Sequence, residues 1–358
     1  MTDASAYYLP PPVTCETLAA MVARFGGSMR MGPKVDAFES DGPIEATAEV
    51  RAFLRKQEMA LQPTEAVASL LGGRVFGAGT VLAPDGASIA RDVSLDFGRP
   101  DHVHWLLNDK KIRSPLMLAG KTAVVASALG EGYCHWLLDE LPRLLLLKNA
   151  NDVTTLIAHT GESYAREALA LQGWTGAVID PVRRGHWQCE ELMVPTLTGW
   201  TGRATSRQIQ LVTEFTLPLQ SPDSVTGERI YISRAAARRR RVTNEAEVAT
   251  TLKAHSFTEV RLEELNWREQ ISVFRQAKLI VAPHGAGLAN LIFCQRGTRV
   301  IELFSRSYLN GCFWQLAALR GLDYFPLVPP GREAFGCNPK DNRLDLTVDL
   351  QQLRAALA

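Results

Sequence analysis

The feature that most constrains this chain is a rhythm. From Lys121 onward, short apolar runs alternate with helical patterns. Thr122–Ser127, Val153–His159 and Glu191–Pro195 read as strands. Tyr133–Lys148, Glu162–Gln172 and Ser206–Leu217 read as helices, the first interrupted by Pro142 and the second ended by Gly173. A looser segment, Gln220–Gly227, looks like a linker, and then the pattern restarts. Strands are expected at Arg229–Ser233, Phe257–Val260, Leu279–Ala282, Thr298–Phe304 and Tyr324–Leu327. Helices are expected at Asn244–Ala254 (with Asn244 as cap), Asn266–Ala277, Gly287–Phe293 and Tyr308–Leu319. Such alternation requires parallel strands with helices on both faces, an α/β fold. Two units in tandem predict a ligand cleft.

The first hundred residues lack this rhythm. Val75–Leu82 and Val93–Phe97 read as short strands around turns such as Pro84-Asp85-Gly86. The expected organisation is a β-rich extension over 1–110, a Rossmann-like unit over 111–220, a second over 228–330, and a tail with a helix over 331–358.

Composition narrows the function classes. With 358 residues, 46% hydrophobic and 22% charged, the chain can bury full cores. A net charge of +1 argues against coating nucleic acid or an anionic membrane. The six cysteines form no C-x-x-C pair, so reduced core thiols are expected rather than a disulfide framework or zinc site. Met1–Pro12 lacks the basic and apolar regions of a signal peptide, and no apolar stretch reaches membrane-spanning length. The expected location is the cytoplasm.

The sharpest local motif is Ala282-Pro283-His284-Gly285-Ala286-Gly287-Leu288-Ala289-Asn290. It follows an apolar strand and opens a short helix, so its glycines and free N–H groups suit an anion such as a diphosphate. A tight turn with a core histidine is the alternative. The G-x-G-x-x-G signature of NAD sites is absent. Glu302 ends the apolar run Val300-Ile301-Glu302, where doubly wound folds hold ribose hydroxyls; a plain strand-end charge is the competing explanation. Arg234 closes the strand Arg229-Ile-Tyr-Ile-Ser and is the residue expected to bind phosphate oxygens, with Arg238 drawn from the run Arg238–Arg241. The rest of that run reads as a solvated loop.

Further back, Tyr133-Cys-His-Trp-Leu-Leu-Asp-Glu-Leu-Pro-Arg143 places His135 and Asp139 on one helix face. They could serve as acid and base, or Asp139 could pair with Arg143 as an i,i+4 ion pair. Asp101-His-Val-His104 offers metal-ligand types with nothing to complete a site. No D-x-D occurs, so no metal ligand is assigned. Val50–Leu61 is basic and partly amphipathic, and reads as a solvated helix rather than a membrane contact.

Taken in order, the blocks Tyr133–Arg143, Tyr231-Ile-Ser-Arg234, and Glu269-Gln270 through His284–Asn290 to Ile301-Glu302 resemble glycosyltransferase family 61, the DUF563 group. The resemblance covers roughly Lys121 to Leu327. It implies a GT-B architecture of two facing Rossmann-like domains and an inverting transfer from a nucleotide-sugar, with no cofactor and no obligatory metal. Arg234 looks like the diphosphate arginine, the backbone after His284 like the phosphate cradle, and Glu302 like the ribose carboxylate. Asp139, then His135, looks like the base. Pro283 stands where the family more usually has a small or polar residue. The implied partners are a nucleotide-sugar and a glycan or lipid-linked glycan acceptor, in a cell-surface polysaccharide context with peripheral contact at the inner membrane. A sugar-nucleotide epimerase and a non-catalytic sugar-binding protein are the competing readings, with a nucleic-acid binder the weakest.

Overall fold

Five apolar runs of the C-terminal half form one parallel sheet. Its spatial order is Thr258–Val260, Arg229–Ile232, Leu279–Pro283, Arg299–Leu303 and Asp323–Leu327. Numbered along the chain, that is the order 2-1-3-4-5 of a doubly wound sheet. The runs are continuous rather than alternating because helices cover both faces. Tyr231, Val281, Ile301 and Leu303 pack into one buried cluster with Val248, Leu252 and Leu353 from the helices.

The computed structural model describes residues 8–34, 46–57, 64–96, 100, 102–148, 150, 152–200, 202–219, 227–332, 334–338 and 340–358. The expected linker lies outside the described residues except for Gly227, as do Phe97, Asp101, the first seven residues and the end of the 50–61 segment. The chain forms two compact units: Met1–Asp36 with Gln62–Gly202, and Ala37–Leu61 with Arg203–Ala358. These divisions differ from those expected at 110 and 220. The helix Ser206–Thr216, expected to close the first unit, belongs to the second.

In the first unit the strands before residue 110 are no separate extension. Apart from Tyr8–Leu9, which pairs with Ile112–Arg113 in a small sheet of its own, they continue the sheet built by the later ones. Ala177–Ile179, Thr155–Ile157, Leu116–Val124 and His186–Pro195 lie parallel in that order. Along the chain this is 3-2-1-4, the order of a Rossmann-type half. Beyond His186–Pro195 the sheet turns antiparallel, pairing with Thr64–Leu71 and Arg74–Phe76, and a meander runs on through Thr80–Leu82 and Ser88–Ala90. The fold is therefore mixed α/β, as expected, with a larger sheet than the rhythm predicted.

Local chemistry explains most boundaries. Thr205 with Gln208 and Asn266 with Glu269 form reciprocal capping boxes. Gly173 and Gly321 end helices in the left-handed conformation. Three expectations fail. Of the strand expected over Val93–Phe97, the described residues Val93–Asp96 make none, because the buried Arg91 guanidinium takes the carbonyls of Ser94 and Asp96 that a neighbouring strand would need. Asn244 precedes its helix but does not cap it with its side chain; it instead exchanges two hydrogen bonds with Val348. The helix expected from Tyr308 starts at Cys312, whose N–H donates to Asn310.

Candidate functional site

In the second unit the strand order reverses between Arg229–Ile232 and Leu279–Pro283, and ligands of such sheets bind beyond the carboxyl ends at that point. Arg234 follows the first of these strands, and His284 and Gly285 follow the other. The base of Arg234 is fixed: Tyr231 and Ser233 both donate to Glu245, at 2.8 and 2.7 Å. Arg234 Nη2 donates to the Arg239 carbonyl at 3.0 Å, while its buried Nε has no partner. Burial, reinforced by Arg240, pulls its pKa down to about 10, against an opposing pull from Glu263. The guanidinium lies over Gly285, where a β-carbon would come within 2.3 Å of Nη1.

Arg238, expected to join Arg234, is exposed. Arg240 turns inward instead. It adopts a left-handed φ of 54°, donates to the Asn342 carbonyl at 3.0 Å, and holds its carbon Cζ 5.7 Å from the Tyr308 ring centre. Its buried Nε also lacks a partner, and burial lowers its pKa. Arg241 pairs with Asp345 at 2.8 Å. Arg240 was missed because four consecutive arginines carry no sign of which one the turn directs inward.

The helix after Gly285 runs from Ala286 to Phe293 as a 3-10 helix. Its first N–H groups, at Ala286 and Gly287, have no acceptor within the helix. Leu288 N–H donates back to the Gly285 carbonyl and its side chain is buried. At Gly287 a β-carbon would meet the end of the Leu262 side chain at 2.5 Å, so that side chain lies directly against the turn. Asn290 is fully buried and donates to Gln270, which in turn holds the Leu262 and Leu265 carbonyls. It braces the turn.

Glu302 is fully buried, with its two oxygens engaged by His284 Nδ1, at 2.5 Å, and by the Tyr324 hydroxyl. A carboxylate so enclosed orients His284. The His284 ring is packed among Phe304, Tyr308 and Phe313. Tyr324 was not singled out in the sequence, where it reads as one more strand residue.

In the first unit the helix after Leu116–Val124 contains a π turn over Trp136–Glu140, closed by Leu141 N–H to Trp136 O. Such turns recur at functional sites. Here it sends two adjacent carboxylates to different partners. Asp139 accepts from Gly202 N–H at 3.2 Å and faces His135 Nδ1 at 2.9 Å. Of the two side chains, 26% of His135 is exposed against 3% of Asp139. Glu140 accepts from Ser127 N–H at 2.6 Å and pairs with His159 Nδ1 at 2.8 Å. The expected Asp139–Arg143 pair does not form. Arg143 is fully buried and donates to the carbonyls of Val124, Val125, Ala126 and Pro195, filling the gap at the carboxyl ends of two parallel strands. Burial lowers its pKa to about 10, with Glu140 and Asp139 opposing.

In the Asp101–His104 segment, His104 accepts from Leu106 N–H and starts a short helix. Among the described residues no group of three His, Cys, Asp or Glu could hold a metal ion.

Arg143, Arg234, Arg240, His284 and Gly285 all fall within one match to known proteins. Residues 133–301 match the family Glycosyltransferase 61. Over this segment, slightly under half of the chain, the sequence is similar to that family. Glu302 lies one residue beyond it. The EGF domain-specific O-linked N-acetylglucosamine transferase of Mus musculus is 29% identical over 109 residues, covering 29% of this chain and 20% of that protein. The Drosophila melanogaster enzyme of the same name is 31% identical over 129 residues, covering 34% of this chain and 25% of that protein. Beta-1,2-xylosyltransferase RCN11 of Oryza sativa subsp. japonica is 30% identical over 70 residues, 20% of this chain and 13% of that protein. The chain thus aligns with a quarter or less of the length of these relatives.

Proposed function

We propose that the chain transfers a sugar from a nucleotide-sugar donor to a hydroxyl of a glycan or glycoconjugate. The observation that carries this reading is the pair Arg234 and Arg240. Two half-buried guanidiniums, each with a buried Nε that has no partner, stand at the switch point of a doubly wound sheet where Gly285 opens a helix. Buried cations without a carboxylate partner are costly unless an anion completes them. A diphosphate does so.

In the proposed step the acceptor oxygen attacks the anomeric carbon as the bond to the diphosphate oxygen breaks, inverting that carbon. The electron pair leaves with the diphosphate, and Arg234, Arg240 and the N–H groups of Ala286 and Gly287 meet its growing charge. No metal is assigned a part. The hydroxyl proton goes to a base. The exposure of His135 favours it over Asp139, which is enclosed and serves to orient the ring. The GT-B architecture belongs to the same proposal, supported by the Rossmann-type strand order within each unit. So do a cytoplasmic setting, a cell-surface polysaccharide or lipid-linked acceptor and a peripheral membrane contact. Among the described residues no helix is long and apolar enough to cross a membrane.

The test is an acceptor-dependent assay with a panel of nucleotide-sugars, with and without EDTA, reading nucleoside diphosphate release and the product mass. Transfer that is indifferent to EDTA and falls by roughly 100-fold or more in Arg234→Ala and His135→Ala is expected. Donor binding without transfer to any acceptor would leave a binding protein, and an altered free sugar formed without acceptor would leave an epimerase.

A further inference from the structure

The second carboxylate–imidazole pair of the first unit, Glu140–His159, has no part in the step above, yet it borders a pocket. The pocket has a volume of about 300 Å³ and lies where strands Thr155–Ile157 and Ala177–Ile179 end. Its lining includes Glu131, Trp136, His159, Glu162, Tyr164 and Asp180. That volume is at the lower end of the roughly 300–1,000 Å³ typical of small-ligand sites, enough for one or two sugar rings. Trp136, His159 and Ala165 continue into a deeper recess of about 10 Å³, whose wall includes Glu140. Glu140 is 1% exposed, and its Oε2 is buried without a partner.

We propose that this pocket binds a pyranose ring, with a C–H face against Tyr164 and Trp136 and a hydroxyl on His159 Nε2. The aromatic wall is firm: the Trp136 and Tyr164 rings lie 4.5 Å apart between centres, and Tyr133 closes on Tyr164 edge-on at 5.1 Å. Nδ1 of His159 is committed to Glu140, which leaves Nε2 for the pocket. The polar groups select the ligand class. Glu131, Glu162 and Asp180 at the rim repel anions, although Asp180 also accepts from Thr160. A metal cation would have to approach His159, which Glu140, Glu131 and Asp180 together hold toward its charged form despite burial. A purely apolar ligand would leave the idle Oε2 of Glu140 unanswered. A neutral polyol with one apolar face satisfies each condition. Its hydroxyls donate to the carboxylates, and one hydroxyl or a water reaches the recess, which has room for about one.

As a site for the acceptor glycan, the pocket rests on the proposed function; as a sugar-binding site, it stands apart from it. The test uses the full chain and methyl glycosides of gluco, galacto, manno, xylo and N-acetylgluco configuration, followed by ligand-observed NMR titration. At least one glycoside should bind saturably. Tyr164→Ala and His159→Gln should each weaken it about tenfold or more, as expected for loss of a ring contact or a hydrogen bond to a charged group. Both variants should keep the melting-temperature rise that nucleoside diphosphates give the wild type, which shows that they fold. Absence of binding for every glycoside, or binding unchanged in both variants, overturns the inference. So does stabilisation by a divalent chloride or by inorganic phosphate that Glu131→Gln or His159→Gln abolishes, because that would make this an ion site. Glycoside binding in a chain that transfers no sugar leaves this inference intact and removes the proposed activity; transfer without glycoside binding here does the reverse.

Discussion

Arg234 lies over Gly285 so closely that a β-carbon on the glycine would sit 2.3 Å from Nη1 and 2.9 Å from Cζ. The glycine has φ of 176°, an extended conformation open to any residue, so its reason is space for the guanidinium. Gly285→Ala should therefore push a flexible side-chain end aside at little cost, within about 1 kcal/mol of wild-type stability. Losing one charge-assisted hydrogen bond to the diphosphate, worth about 1.5–3 kcal/mol, should weaken nucleotide binding by roughly 10- to 100-fold. Calorimetric titration beside a denaturant melt separates the two effects. A variant that unfolds but binds normally when folded would refute the spatial argument.

Arg240 combines a left-handed backbone, at φ 54°, with an inward guanidinium. An alanine keeps the backbone strain, which is of order 1–2 kcal/mol for a residue with a β-carbon, whereas a glycine relieves it. Arg240→Gly should thus be more stable than Arg240→Ala by about 1 kcal/mol, while both lose nucleotide affinity to a similar degree. Arg238→Ala, at an exposed position, should change neither. Denaturant melts and nucleotide titrations of the three variants decide it; equal stability of the glycine and alanine forms would remove strain from the account.

These two residues also mark where the sequence is readable. Arg234 was legible because it ends an apolar run, Ile230-Tyr-Ile232, buried on both faces, and the end of such a strand is a fixed place. Arg240 was not, since its direction depends on a turn rather than on its neighbours in sequence. The parallel strands of the second unit and the helices with capping boxes at Thr205 and Asn266 were legible for the same reason: short-range pattern suffices. The sheet that joins residues 64–90 to 186–195 was not, because antiparallel pairing over such separations leaves no local signal. Glu140 and His159 escaped similarly, lying 19 residues apart on a helix and after a strand. Glu302 was legible by position, but its enclosure by Tyr324 and His284 was not, since those partners lie 22 and 18 residues away.

Tyr324→Phe tests that enclosure. The phenol is held far above its ordinary pKa, by burial first and by the Glu302 charge second, so it stays a donor. Without the hydroxyl, one oxygen of a fully buried carboxylate is left unpaired. The expected loss is about 1–3 kcal/mol, with the larger end favoured because the acceptor is charged. A urea melt measures it. A neutral result would mean that Glu302 is protonated or hydrated in place.

The Glu140–His159 pair carries a pH signature. Burial is the largest influence on His159 and lowers its pKa, yet the hydrogen bond and charge of Glu140, aided by Glu131 and Asp180, outweigh it and raise the pKa above 6.5. Tyr164 and Glu162, which line the same pocket, complete the titratable groups facing the ring. A folded-state pKa above the unfolded value stabilises the protein fully below about pH 6.5, and that stability is lost as the pH rises through the folded value. Glu140→Gln keeps the shape but removes the charge that opposes burial. The His159 pKa should then fall, and the stability gap between wild type and variant should be wider near pH 6 than near pH 8.5. Titration of the His159 ring protons by NMR reads the first, and melts at the two pH values read the second. An unmoved pKa in Glu140→Gln would mean that Glu131 and Asp180, not Glu140, hold the charge on this histidine.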